Sequence, residues 1–291
     1  MIRTLRWGVF LALLVCSFHT TPAQTPATIE LVAYNKENQT VKDLSTSDIE
    51  LRVDGRMVTL DSLKWETKRP PRMILLVDTS YTAMNNRTLM KDLVTAFIDI
   101  KPPQLEMAIA TINVSQQFLS SYQRSPDELV STLQQIKFGG IAPLSQDILA
   151  SLSQFDSKTS GTSKEIRKVL VAFSDGTDDS PSNLWGEVQR TLVSRGYAFY
   201  AINHIKALKT IFDFKYLDKE LIRLTEETGG RAFRLNGLED VGRVAREIYD
   251  RETNTYLATL NSDAKVSSAD LNRFKIKSRR KDVRIDVVAV H

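Results

Sequence analysis

The stretch Met73-Ile-Leu-Leu-Val-Asp78-Thr-Ser80-Tyr-Thr82 constrains the fold more than any other part of this 291-residue chain. Five apolar residues in a row leave no wet face, so a strand built from them is buried on both sides, as in a parallel sheet covered by helices. The run then ends on an acid, followed by hydroxyls at Ser80 and Thr82. A polar cluster just past such a strand lies at the carboxyl edge of the sheet, where open α/β sheets hold their ligands.

Downstream, short apolar runs alternate with segments of helical period. Leu89, Met90, Leu93, Val94, Phe97 and Ile98 recur at helical spacing, and Pro102-Pro103 ends that helix. Met107–Ile112 predicts the next strand, and Gln117–Leu119 a short edge strand. Ser125-Pro126-Asp127-Glu128 combines a cap, a proline in the first turn and a glutamate three residues after the serine, which together open a helix. Gly139-Gly140 breaks the chain before a helix marked by Leu144, Ile148, Leu149, Leu152 and Phe155, and residues 156–165 read as a polar loop. Val169–Phe173 is a second buried strand, running into Ser174-Asp175-Gly176.

A helix bearing Leu184, Trp185, Val188 and Leu192 leads to the strand Ala198–Ile202. The next helix, with Leu217, Leu221 and Leu224, stops at Gly229-Gly230. Ala232-Phe233 forms a short strand, and the last helix carries Leu238, Val241, Val244, Ala245 and Ile248. This alternation implies βαβ units and an α/β fold with a doubly wound, mainly parallel, Rossmann-like sheet over residues 71–253.

On either side the period returns to two. Ile29–Tyr34 reads as a strand, and Ile49–Val53 and Met57–Leu60 flank the turn dipeptide Asp54-Gly55. Arg69-Pro70-Pro71 is a linker. Tyr256–Leu260, Phe274–Ile276 and Val283–Val290 read as strands after the last helix. Segments 28–68 and 254–291 are therefore expected to pair into one small β module, because chain termini commonly lie close together.

Residues 1–23 read as a secretory signal peptide. Arg3 and Arg6 precede an apolar run from Gly8 to Phe18, and Thr21-Pro22-Ala23 supplies small residues at the cleavage site. The run is short for a membrane span, so no transmembrane anchor is expected after cleavage. Cys16 lies inside this segment, and Val15 stands where a small residue would precede a lipidated cysteine. The mature chain then has no cysteine, which excludes disulfides and thiol chemistry. A secreted, periplasmic or cell-envelope location follows, and a cysteine-free exported chain is more typical of bacteria than of animals. With Arg3 and Arg6 gone, 39 basic residues fall to 37 against 35 acidic, too even a balance for a nucleic-acid surface. Lys275, Lys277, Arg279, Arg280 and Lys281 form a local basic run, read as a solvated hairpin tip.

Asp78, Ser80 and Thr82 follow one parallel strand and Asp175 follows another, so all four are expected at one sheet edge. Two carboxylates and two hydroxyls make an all-oxygen site suited to a hard cation, Mg²⁺ before Zn²⁺. Mg²⁺ keeps some of its waters, which leaves a position for a carboxylate from a partner. His204 is expected at the same edge but has no nucleophile to serve. His19 leaves with the signal and His291 is terminal. Ser80 lacks a Gly-x-Ser-x-Gly elbow, and no glycine-rich phosphate loop is present.

Asp78-x-Ser80-x-Thr82, Gly139-Gly140 before a helix, and Ser174-Asp175-Gly176 after a strand resemble the von Willebrand factor type A (VWA) domain in order and separation. Val41 to Ile49 with Asp54-Gly55, and Thr225 to Phe233, are similar to a secreted bacterial VWA-related subgroup, which extends the resemblance over nearly the whole mature chain. The resemblance implies a metal-ion-dependent adhesion site. In it Ser80 and Thr82 ligate the metal through their hydroxyls, and Asp78 and Asp175 act mostly through water. Thr82 replaces the usual serine. Where the family pattern has a threonine ligand after the glycine pair, this chain has Ile141 and then Ala142, and Ser145 is the nearest hydroxyl able to substitute.

The implied function is a non-enzymatic, protein-binding module whose partner presents an acidic residue. Two alternatives stand beside it. One is a Mg²⁺-dependent phosphohydrolase of the haloacid dehalogenase type, with Asp178-Asp179 as distal acids, although Ser80 occupies the place of its second acid. The other is a structural envelope protein with a vestigial metal site.

Overall fold

A computed structural model describes residues 27–37, 39–67, 71–114, 119–159, 167–181, 183–203, 217–261 and 271–290. The expected signal peptide with Cys16 and His19 lies outside these residues, as do His204, His291 and most of the expected Gln117–Leu119 strand. The chain opens with four strands, β1 (Thr28–Tyr34), β2 (Ile49–Val53), β3 (Arg56–Val58) and β4 (Leu60–Thr67). The α/β region follows with β5 (Arg72–Asp78), α1 (Tyr81–Met84), α2 (Arg87–Asp99) and β6 (Glu106–Ile112). It continues through α3 (Pro126–Gln134), α4 (Leu144–Thr159), β7 (Lys168–Phe173), α5 (Trp185–Ser194) and β8 (Tyr197–Asn203). Then come α6 (Leu217–Glu227), β9 (Ala232–Arg234), α7 (Val241–Thr253), β10 (Asn254–Leu260), β11 (Phe274–Ser278) and β12 (Arg284–Val290).

The central sheet is wholly parallel, in the order β6-β5-β7-β8-β9. Alternate residues of β5 serve opposite layers, as the pleat requires. Met73, Leu75 and Val77 pack with Leu93, Val94 and Phe97 of α2, Leu129 of α3 and Val244 of α7. Ile74 and Leu76 pack with Ile148 of α4, Leu192 of α5 and Leu224 of α6. Helices therefore cover both faces, which is why the strands read as unbroken apolar runs. Because β5 pairs with β6 on one side and β7 on the other, the connections leave these strands in opposite directions. The β5–β7 boundary is the topological switch point of the sheet.

The N- and C-terminal segments pair with each other. A four-stranded antiparallel sheet runs β12-β1-β10-β4, and a three-stranded one runs β11-β2-β3. Their facing sides share a core that includes Leu31, Leu51, Tyr256, Phe274 and Ile285. The expected single strand Met57–Leu60 breaks at Thr59, because β3 pairs with β2 in one sheet while β4 pairs with β10 in the other. Of the expected polar loop over 156–165, residues 156–159 instead belong to α4, which runs on to Thr159, and 160–165 lie outside the described residues. The basic run from Lys275 to Lys281 is not a hairpin tip. β11 pairs with β2 and β12 with β1, so the turn between them is a corner connecting two sheets.

A buried ionic cluster joins the β module to the parallel sheet. Arg167, just before β7, bonds to Glu252 at the end of α7, reaches Glu30 of β1 at 3.5 Å and donates to the Val288 carbonyl of β12 at 3.5 Å. Tyr200 of β8 donates to Glu252 at 2.5 Å. Arg251 of α7 bonds to Asp286 of β12 at 2.8 Å and to the Gly229 carbonyl at 3.1 Å. Gly229, at φ +75°, and Gly230 thread between these layers. A Cβ on Gly229 would meet the Val288 oxygen at 2.2 Å, and one on Gly230 would meet the Phe199 oxygen at 1.9 Å.

Candidate functional site

The switch point places Asp78 at the carboxyl end of β5 and Asp175 two residues beyond β7. Asp78 is fully buried, with Oδ1 accepting from the Ser80 amide at 2.9 Å and Oδ2 from the Ser174 hydroxyl at 3.2 Å. Burial pushes its carboxyl up to about 6, and the charge of Asp175 adds to the rise, while the bonds from Ser80 and Ser174 oppose it. Ser80 and Thr82 turn their hydroxyls to one another at 2.8 Å. Asp175 Oδ1 accepts from the Thr177 amide at 2.8 Å, which holds the Ser174-Asp175-Gly176 turn together with the Gly176 amide bond to Ser174 Oγ at 3.0 Å.

The loop carrying Gly139-Gly140 is drawn under this edge. The Gly139 amide donates to the Thr79 carbonyl at 2.7 Å, and the Tyr81 amide to the Gly140 carbonyl at 2.8 Å. Gly140, at φ +91°, passes so close to Asn113 that an added Cβ would sit 2.9 Å from its Oδ1. Asn113 in turn donates from Nδ2 to Thr79 Oγ1 at 3.2 Å and from its amide to Asp147 at 2.8 Å. Ile141 projects into solvent at 48% exposure, and Ala142 is fully buried.

Ser145 is the expected site residue for which the hydrogen bonds show a different employment. Its hydroxyl donates to Ser180 Oγ at 2.9 Å and its amide to Asp178 Oδ1 at 3.3 Å. The Gln146 amide reaches the Ser180 hydroxyl at 3.4 Å, and the Ala142 amide donates to Asp179 Oδ2 at 2.9 Å. The 178–180 loop thus caps the amino end of α4 from outside the helix, satisfying donors that have no intrahelical partner. Asp178 also accepts from Ser180 Oγ at 2.6 Å, so both Asp178 and Asp179 are occupied in holding this loop.

Asp147 escaped the sequence reading. It lies on α4 and is nearly buried, and burial raises its carboxyl to about 7, with the charges of Asp178 and Asp78 adding to the rise. The signal in the sequence was a lone acid on the apolar stripe between Leu144 and Ile148. The role of Ser174 in bracing Asp78 was not foreseen, although its motif was singled out, and Asn113, which braces the glycine loop, was missed, because each role is defined by partners in other βα units.

The donor set is all oxygen and carries two carboxylates with two hydroxyls, a chemistry that fits a hard divalent cation. Asp78, Ser80, Thr82 and Asp175 would hold it, and the cation would supply a positive charge beside the carboxylate of Asp78, whose proton affinity the charge of Asp175 helps to raise. Nothing at Ile141 or Ala142 adds a ligand. Among the described residues no group of three or more His, Cys, Asp or Glu side chains is arranged to hold a metal, so hydroxyls are essential to any such site.

No family model and no curated protein sequence matches the chain. A von Willebrand factor type A structure from Catenulispora acidiphila matches with a TM-score of 0.54 at 10% identity, over 93% of this chain and 63% of that one. The chain has a VWA fold. Proximal thread matrix protein 1 from the mussel byssus, solved with zinc in its MIDAS motif, has a TM-score of 0.49 at 13% identity, over 68% of this chain and 50% of its own. BatB from Bacteroides thetaiotaomicron has a TM-score of 0.48 at 11% identity, over 62% of this chain and 98% of its own. This chain therefore spans half the length of the mussel protein and less than two thirds of that from Catenulispora. Among its described residues no helix is long and apolar enough to cross a membrane.

Proposed function

We propose that this chain is an exported, non-enzymatic binding module of the cell envelope or its surroundings, gripping a protein partner at the carboxyl edge of the parallel sheet. A divalent cation held by Asp78, Ser80, Thr82 and Asp175 bridges to an acidic residue of the partner. The observation that carries this reading is the placement of both acids at the β5–β7 switch point, with the Ser80–Thr82 hydroxyl pair 2.8 Å apart beside Asp78. With Ser145 bonded to Ser180, water or the partner completes the coordination shell.

The test is thermal unfolding of the mature protein with and without millimolar Mg²⁺ or Mn²⁺. Metal that binds only the native state raises the melting temperature, by about 2.7 kcal/mol of stabilisation at a hundredfold excess over the dissociation constant. The shift is expected in the native sequence and absent in Asp175→Ala. No shift at either metal would overturn the bridging role. It would leave the reading that Ile141 and the engaged Ser145 favour, a structural envelope protein whose site no longer takes metal.

A further inference from the structure

Away from the four metal-site side chains, a cleft of about 900 Å³ opens between the outer strand of the parallel sheet and the β module. That volume falls at the upper end of the range usual for ligand sites, about 300–1,000 Å³. Three strands border it through consecutive residues: 232–234 of β9, 274–277 of β11 and 285–287 of β12. Successive side chains of a strand point to opposite faces, so a cleft that touches all of them meets the strand along its edge. Each of these three strands is the outermost strand of its own sheet. Their outward backbone groups are the kind that pair with an added strand.

The charge at the rim selects what such a strand would be. Arg234, Lys275 and Lys277 are exposed, line the cleft and make no salt bridge among the described residues. Against these three stands one carboxylate without a cation partner there, Glu226, since Arg231 pairs with Glu247 and Asp286 with Arg251. Arg251, 3% exposed, also lines the cleft, and its Nε has no hydrogen-bond partner among the described residues. Along β11 the cations alternate with Phe274 and Ile276, which pack into or against the β-module core. An incoming strand would therefore meet positive charge on one of its faces and apolar surface on the other. Edge lysines also repel a second basic edge, which disfavours pairing between two copies of β11.

We propose that this cleft takes up an extended peptide segment of alternating acidic and apolar residues as an added strand, with β11 as its template. Main-chain hydrogen bonds supply affinity, and the alternate acids on Lys275 and Lys277 supply register and charge selection. The added strand would use none of the four cation-site side chains, although Ser174, which bonds to Asp78, also lines the cleft.

The experiment is fluorescence anisotropy of a fluorescein-labelled hexapeptide alternating glutamate and valine, titrated with the mature protein in EDTA. Saturable binding that weakens with salt is expected, and Lys275→Glu with Lys277→Glu should weaken it about tenfold or more. Both side chains are exposed, and an unchanged melting temperature verifies that this variant folds. The same hexapeptide with alternate backbone nitrogens methylated cannot complete the strand ladder and should not bind. The idea is overturned by absence of binding, by equal binding of the methylated peptide, by indifference to the lysine substitutions, or by binding that appears only when Mg²⁺ replaces EDTA. The last result would place the peptide at the metal site instead. Retained binding in EDTA together with no metal-induced melting shift would support this cleft while refuting the metal bridge.

Discussion

Glu252 is fully buried, and its carboxylate balances Arg167, whose side chain is only 9% exposed. Glu252→Gln keeps the size of the side chain and one acceptor for the Tyr200 hydroxyl, but removes the charge. Arg167 cannot shed its proton, so its guanidinium would be left with Glu30 at 3.5 Å as its remaining carboxylate contact among the described residues. Removing one partner of a buried ion pair costs about 3–5 kcal/mol, because an uncompensated charge stays in a poorly solvated place. For a denaturation slope near ~3 kcal/mol/M, the urea midpoint should fall by at least about 1 M. The assay is urea unfolding followed by tryptophan fluorescence and by far-ultraviolet circular dichroism. The two signals should coincide in the native sequence, because the cluster ties β1 and β12 to β7, β8 and α7. Arg167→Met combined with Glu252→Leu removes that pair and should recover part of the loss, the remainder reflecting Glu30, which loses its Arg167 contact, and the Tyr200 hydroxyl, which loses its acceptor. A single substitution costing under about 1 kcal/mol, or a double variant as unstable as the sum of its singles, would refute the reasoning.

Asp147 makes stability pH-dependent. Its carboxyl rises from 3.8 to about 7, so the folded state holds a proton that the unfolded chain releases more readily. That contribution is fully present below pH 3.8 and is lost as pH rises through about 7. Asp147→Asn should flatten the decline in unfolding free energy between pH 5 and 7.5, and an unchanged slope would count against the assignment. Gly230→Ala should abolish soluble expression or lower the melting temperature steeply, because its Cβ would sit 1.9 Å from a backbone oxygen. Gly186→Ala in α5 meets nothing within 4 Å and should be neutral or stabilising by up to about 1 kcal/mol. Ile141→Thr supplies a hydroxyl at the position where the VWA pattern has one, and should enlarge the melting shift produced by Mn²⁺. A smaller shift than in the native sequence would show that this loop does not face the cation.

The local alphabet of this chain was legible without tertiary information. An unbroken apolar run is buried on both faces wherever it occurs, so β5, β7 and β8 and the α/β class could be read directly. The helix start at Ser125 was equally plain, and the structure shows its hydroxyl accepting from the Glu128 amide at 3.4 Å. β4 was not read as a strand of its own, because Asp61, Lys64 and Glu66 interrupt its pattern. Its strand character comes from pairing with β10, nearly two hundred residues away. The partner of Ser145 was out of reach of the sequence for a related reason. Its hydroxyl is the nearest in sequence to the glycine loop, but Ser180 lies 35 residues on and claims it through space.

The sequence by itself determined which strands would be buried, where helices would begin, and that Asp78, Ser80, Thr82 and Asp175 would end up at or just beyond strand termini. These are consequences of side-chain period and backbone preference, which act over a few residues. Only the tertiary structure decided that β5 would pair with both β6 and β7. That arrangement turns two separate strand ends into one crevice at a switch point. It also decided that Asp147 would be buried beside Asn113, and that three strand edges would surround one basic cleft. Those outcomes depend on partners 30 to more than 200 residues apart, and no local period encodes them.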